Sequence, residues 1–251
     1  MQILVLKIQY DGTDYAGWQI QSNANTVQQE IEKALKKICS YDLRITAAGR
    51  TDAGVHARCM VAHSNLGRGF PVKKEKVHIA INSYLPPDIR ILQANIVDFA
   101  FHSRFDAIAR EYSYSIYKKD DVFLRRLAWQ VKYPFSPARL NEAAAVFIGK
   151  NDFTTFSKQN DDTLSYVCNV ERCDWQKEAG IWRLHIKADR FVYGMVRSLV
   201  GAMIESARGK LSARDLRQFL VKKDRNLAPA LAPARGLIFE QAYYPEDLKI
   251  F

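Results

Sequence analysis

The run Ala48-Gly49-Arg50-Thr51-Asp52-Ala53-Gly54-Val55-His56-Ala57 places an arginine, a carboxylate and an imidazole within ten positions, with two glycines among them. Glycines at 49 and 54 let the backbone turn tightly or come close to another group. Such a loop can hold one acid in a fixed pose beside a positive charge. The structural alternative is an Asx-turn, in which Asp52 bonds its own backbone. A second chemical residue is Arg197, inside the apolar helical run from Phe191 to Ala207. Its neighbours at helical spacing are mostly apolar, so a guanidinium there calls for a carboxylate from elsewhere in the fold. It could instead snorkel to the surface or bind a carbonyl. Tyr112 and Tyr114 share one strand face, where tyrosines are most often packing residues.

Absent motifs narrow the chemistry. The chain has no Walker A loop, no dinucleotide glycine set, no His-Glu-x-x-His, no Gly-x-Ser-x-Gly and no paired catalytic acids. Cys39, Cys59, Cys168 and Cys173 form no Cys-x-x-Cys pair, so no metal site is expected and reduced thiols fit a cytosolic protein. A lone loop acid, an arginine in an apolar helix and strand tyrosines suit covalent or electrostatic catalysis by one carboxylate at a sugar carbon. With 37 Lys+Arg against 27 Asp+Glu the net charge is +10, which points to a polyanionic partner, nucleic acid first. The basic residues are interleaved with aromatics rather than gathered in a tail. No apolar run approaches the ~20 residues of a membrane span. The first residues enter a strand pattern directly, so the expected location is the cytoplasm.

The elements that must position these residues follow from periodicity. Leu4, Leu6, Ile8 and Tyr10 alternate with Val5, Lys7 and Gln9 as a strand, followed by the turn residues Asp11-Gly12-Thr13-Asp14. Thr26 caps a helix with a Gln29 capping box and an apolar stripe at Val27, Ile31, Leu35 and Ile38. A strand from Leu43 to Ala47 delivers the Asp52 loop, and Cys59 to Ala62 forms another. A helix spans Pro71 to Tyr84, and Ile89 to Val97 is again a strand. The first hundred residues thus read β-α-β-β-α-β, a split βαβ unit. The second half repeats an α+β order. It has a strand around Tyr112, a Ser136-Pro137 helix start, a loop at Asp161-Asp162-Thr163, strands at Val167–Trp175 and Trp182–Ala188, and the Arg197 helix. A helix capped by Ser212 and a strand at Leu237–Tyr244 complete it. The fold expected is α+β, with two ferredoxin-like (split βαβ) domains of mostly antiparallel sheet, at 1–103 and 104–251, joined around a basic central cleft.

The Asp52 loop resembles the signature of the tRNA pseudouridine synthase A family, and the likeness extends over nearly the whole chain. Tyr10-Asp11-Gly12-Thr13-Asp14-Tyr15-Ala16-Gly17-Trp18-Gln19, Thr26-Val27-Gln28, Phe101-His102-Ser103-Arg104-Phe105 with Ala109-Arg110-Glu111-Tyr112-Ser113-Tyr114, Phe191 to Gly201, and Ala232 to Leu237 are similar to the family's other blocks, in order. Co-occurrence of the blocks is far more specific than any single loop. The resemblance implies a homodimer of two ferredoxin-like domains that needs no cofactor. It would isomerise uridine to pseudouridine in the tRNA anticodon stem-loop, at positions 38 to 40. It implies Asp52 as the catalytic aspartate and Tyr112 as the tyrosine that stacks on the target base and assists proton removal. Arg197 would be the ion-pair partner that orients Asp52. Arg50, with Arg104 and Arg110, would hold RNA.

Three positions depart from the family's usual residues: Ser198 where Asn is common, Gly194 where His is common, and Met60 where Gln is common. They bear on hydrogen bonds around the site and on RNA contacts. A non-catalytic RNA-binding protein on paired ferredoxin-like domains would also explain the charge and the aromatics, but not an arginine that calls for a carboxylate.

Overall fold

The computed structural model describes residues 2–67, 69–159 and 163–251, so the expected loop residues Asp161 and Asp162 lie outside the described residues. In chain order the elements are β1 (Gln2–Tyr10), α1 (Val27–Cys39), β2 (Thr46–Ala47), β3 (His56–Leu66), α2 (Val77–Asn82), β4 (Ile89–Val97), β5 (Ala109–Tyr117), β6 (Trp129–Gln130), α3 (Pro137–Ala145), β7 (Gly149–Asp152), β8 (Val167–Glu178), β9 (Ile181–Ala188), α4 (Met195–Ala207), α5 (Ala213–Lys222) and β10 (Leu237–Tyr243). The fold is mixed α+β with mostly antiparallel pairing. Contacts divide the chain into two units: residues up to Ile108 with Ile238–Phe251, and Ala109–Leu237.

In the first unit β1 is central, antiparallel to both β3 and β4. The outer edge of β3 is shared. β2 pairs antiparallel with Ala62 and His63, while β10 pairs in parallel with His56 and Ala57 at the other end. Alternation suggested one apolar face for β1, yet Ile3, Leu4, Val5, Leu6 and Ile8 are all buried. The reason is the C-terminal tail. Asn95, opposite Val5, donates to the Ile250 carbonyl, and the Lys7 ammonium lies 4.6 Å from the Phe251 ring centroid. Each of these β1 aliphatics contributes about 1.5–3 kcal/mol by leaving water. On α1 the expected stripe buries Val27, Ile31 and Leu35, and Thr26 Oγ accepts from Gln29 N as its N-cap. The strand expected over Leu43 to Ala47 shortens to two residues, and β3 starts three residues earlier than expected, so His56 and Ala57 are strand residues. The helix expected over Pro71 to Tyr84 is a 3₁₀ turn at Lys74–Lys76 leading into the shorter α2.

In the second unit β5 pairs antiparallel with β9, β9 with β8, and β8 with β7, while β6 lies parallel to the end of β5. Both faces of β5 are buried. Tyr112, Tyr114 and Ile116 fill one, and Ser113 and Ser115 lie on the other. The N-caps read from sequence hold: Ser136 accepts from Arg139 N, and Ser212 forms a capping box with Asp215. α4 is buried on nearly all sides, as its apolar composition requires. It begins at Met195 rather than Phe191, because Gly194 takes the left-handed conformation at φ 72° and breaks the helical run.

Candidate functional site

The Asp52 loop connects β2 to β3 and is held by the turn that follows β1. Trp18 N donates to the Thr51 carbonyl at 3.1 Å, and Gly54 N donates to the Tyr15 carbonyl at 3.3 Å. Between these two clamps the loop closes a β-turn, Val55 N donating to the Asp52 carbonyl at 3.2 Å. A positive φ of 75° at Gly54, the third residue, makes it type II. The turn is therefore closed through the main-chain carbonyl of Asp52. The two backbones touch where side chains are missing. A β-carbon on Gly12 would stand 2.0 Å from the Val55 oxygen, and one on Gly17, at φ 100°, 2.6 Å from the Thr51 oxygen.

Side chains reinforce the clamp. The register of β1 against β3 shifts between Ile8 and Tyr10, a bulge of the kind that re-aims a side chain, and Tyr10 Oη lies 2.8 Å from Thr51 Oγ1. His56 Nδ1 sits 3.1 Å from the Gly12 nitrogen and 3.0 Å from Asp11 Oδ1. Burial alone would raise the Asp11 carboxyl, but the Thr13 hydroxyl and amide and the neighbouring His56 together hold it below the usual carboxylate range. Tyr15 Oη donates to Asp88 Oδ1 at 2.7 Å, and burial followed by the Asp88 carboxylate pushes that phenol upward. Thr51, Gly54, Val55 and His56 are thus anchored around Asp52, while Asp52 itself is half-buried and Arg50 and Ala53 are exposed. In the same unit, Arg104 lies in the turn between β4 and β5, its guanidinium 5.7 Å from the Phe105 ring centroid.

The second unit carries Arg110, Tyr112 and Arg197. Arg110 and Tyr112 are two apart on β5, on one face. The guanidinium of Arg110 donates to the Asp189 carbonyl at 2.9 Å. The loop from Asp189 to Gly194 brings the Phe191 ring edge-on to Tyr112, with centroids 5.0 Å apart at 84°. Arg197 is half-buried rather than fully buried, and its Nε donates to the Ala232 carbonyl at 2.8 Å, while Ala232 N donates to the Arg197 carbonyl. The Nε of this side chain thus takes a backbone carbonyl, one of the partners that the apolar helix pattern left open. The next carbonyl, Pro233, accepts from Tyr114 Oη at 2.8 Å. Burial raises the Tyr114 phenol, and Arg197 and Arg235 oppose that rise only partly, so it remains a hydrogen-bond donor at neutral pH. Two consecutive carbonyls of the 228–236 loop are therefore held by α4 and by β5.

Thr51, Tyr10, His56 and Tyr114 position the loops without having been singled out for that role in the sequence. The signal lay in the side-by-side presence of Asp11-Gly12 and Val55-His56, which chain order alone does not join. The departures fall into place locally. Gly194 occupies a backbone conformation that suits glycine, and Met60 is fully buried in β3. Ser198 is buried, and its Oγ has no hydrogen-bond partner among the described residues. Among those residues no cluster of three or more His, Cys, Asp or Glu side chains could hold a metal ion.

The sequence profile of the tRNA pseudouridine synthase family matches residues 7–106 and 143–245. The chain is 40% identical over 241 residues to a tRNA pseudouridine synthase A from Porphyromonas gingivalis, covering 95% of this chain and 96% of that one. It is 38% identical over 249 residues to one from Bacteroides fragilis, covering 99% and 98%. Against one from Halalkalibacterium halodurans it is 39% identical over 241 residues, covering 95% and 91%.

Proposed function

Since this chain belongs to the tRNA pseudouridine synthase family and is an isomerase that converts uridine in tRNA to pseudouridine, we propose that Asp52 is its catalytic carboxylate and that its targets are uridines 38 to 40 of the anticodon stem-loop. The observation that carries the assignment to Asp52 is the double clamp on its loop. Backbone bonds at Thr51 and Gly54 and close backbone approaches at Gly12 and Gly17 fix the residues on either side of a half-exposed acid. A preorganised carboxylate needs no reordering at the moment of reaction.

The reaction breaks the C1′–N1 glycosidic bond, turns the uracil and joins C5 to C1′. The C5 proton is lost and N1 gains one, so product and substrate are isomers. Asp52 acts at the sugar. Reaching it requires the nucleotide to leave the stem, at a cost of a few kcal/mol. Phosphate contacts from Arg50, Arg104 and Arg110 and stacking on Tyr112 are proposed to offset that cost. Arg197 is proposed as the positive charge that orients Asp52. The order β4-β1-β3-β2 in the first unit supports a split βαβ reading of it, and we propose a cytoplasmic homodimer in which each chain has two ferredoxin-like domains and needs no cofactor. No helix among the described residues is long and apolar enough to cross a membrane. The experiment is to treat unmodified tRNA transcripts with the purified protein and map pseudouridine along them. Modification confined to positions 38 to 40 is expected, and modification only elsewhere in the tRNA would overturn the target assignment.

A further inference from the structure

We propose that Phe105 is a stacking platform for a nucleobase of the bound tRNA. The inference rests on the reading of the protein as a tRNA-modifying enzyme and adds a binding residue to it. Phe105 is 74% exposed, so most of its ring surface is accessible to a ligand. One of its faces is already occupied. The His102 ring lies 4.2 Å away at 26°, and His102 in turn lies 4.6 Å from the buried ring of His63. A series of three rings therefore runs from the interior to solvent and ends at the exposed ring of Phe105.

The turn that carries the ring is fixed as firmly as a core segment. His102 N donates to Asp106 Oδ2 at 2.7 Å, and Asp106 N donates back to the His102 carbonyl. Ser103 N donates to His63 Nδ1, and the amides of Arg104 and Phe105 both donate to His102 Nδ1. Tyr244 Oη donates to the Ser103 carbonyl from the C-terminal tail. Five consecutive amides are thus satisfied in order to present one exposed aromatic ring. Little ordering cost remains for a ligand that stacks on it. The Arg104 guanidinium lies over the ring, 5.7 Å from its centroid, and the chain as a whole is strongly basic. A flat aromatic ligand attached to an anionic backbone fits both features, and every base offers a π-face.

The test compares the affinity of full-length wild type, Phe105→Ala, Phe105→Leu and Phe105→Trp for an unmodified tRNA transcript by filter binding, with sedimentation of each free protein. Loss of one base stack is expected to weaken binding about tenfold in the Ala variant. Leu is expected to weaken it comparably, and Trp to stay within about twofold of wild type. Wild-type affinity in Phe105→Ala would overturn the proposal. So would rescue by Leu, which would mean nonspecific apolar contact, or a changed oligomeric state in the Ala variant, which would place the ring between two copies of the chain. A wild-type protein that forms no pseudouridine would sink the functional reading, while the affinity comparison would still decide this one.

Discussion

Gly17→Ala tests whether the first turn holds the Asp52 loop in place. A methyl there would stand 2.6 Å from the Thr51 oxygen. Ordinary contact begins near 3.4 Å, so relief requires a displacement of 0.8 Å, the difference between those values, one residue from Asp52. The residue also sits at φ 100°, where an L side chain is strained by about 1–3 kcal/mol. Moving the Thr51 carbonyl weakens the 3.1 Å bond from Trp18 N, a further loss of about 0.5–1.5 kcal/mol. The expected destabilisation is about 2–4 kcal/mol. Misplacement of a reacting group by 1 Å costs on the order of a hundredfold in rate, so kcat should fall by roughly thirty- to a hundredfold. Urea denaturation and initial rates of pseudouridine formation read the two effects separately. Gly67→Ala, which would meet nothing within 4 Å, is the control and should be neutral in both. A Gly17→Ala enzyme with kcat within threefold of wild type would refute the view that the two turns position the catalytic loop.

Tyr114→Phe should destabilise the protein by about 1–2 kcal/mol, because the Pro233 carbonyl loses its donor; an unchanged denaturation midpoint would count against that contact. His63 gives a pH dependence. Burial, with the charge of His102 second, lowers its imidazole to about 4, so the folded protein keeps it neutral where the unfolded chain, with an ordinary value of 6.5, binds a proton. Stability should therefore fall as pH drops from 6.5 towards 4 and level off below, by at most about 3 kcal/mol from this group. His63→Asn should melt with a shallower slope across that window, and coincident slopes would contradict the assignment.

Local signals in the sequence marked the elements well where they act through neighbouring residues. Thr26, Ser136 and Ser212 each cap the helix that they announce, since a cap needs only the amides two or three positions on. Gly194 misled because apolar composition runs unbroken through it, and only its backbone conformation moves the helix start to Met195. The sequence marks Leu237–Tyr244 as a strand, observed over Leu237–Tyr243, but is silent on its neighbour. The parallel pairing with β3 that returns Ile238–Phe251 to the first unit is a long-range fact. Asp52 stood out as a loop acid, whereas the clamp around it joins residues 10–18 to 51–56, and no periodic pattern encodes contacts of that range. Arg197 was legible as a residue that needs a partner. Its Nε found a backbone carbonyl, and carbonyls are present at every position and so leave no mark in the sequence.

The most direct measurement is tritium release from tRNA carrying C5-tritiated uridine, with wild type and Asp52→Asn compared at enzyme in excess and no added cofactor. C5 loses its hydrogen only when the new carbon–carbon bond to C1′ is completed. Wild type should release tritium, while Asp52→Asn should slow release by about a thousandfold or more and keep its affinity for tRNA within threefold. Release by Asp52→Asn at the wild-type rate would contradict the account.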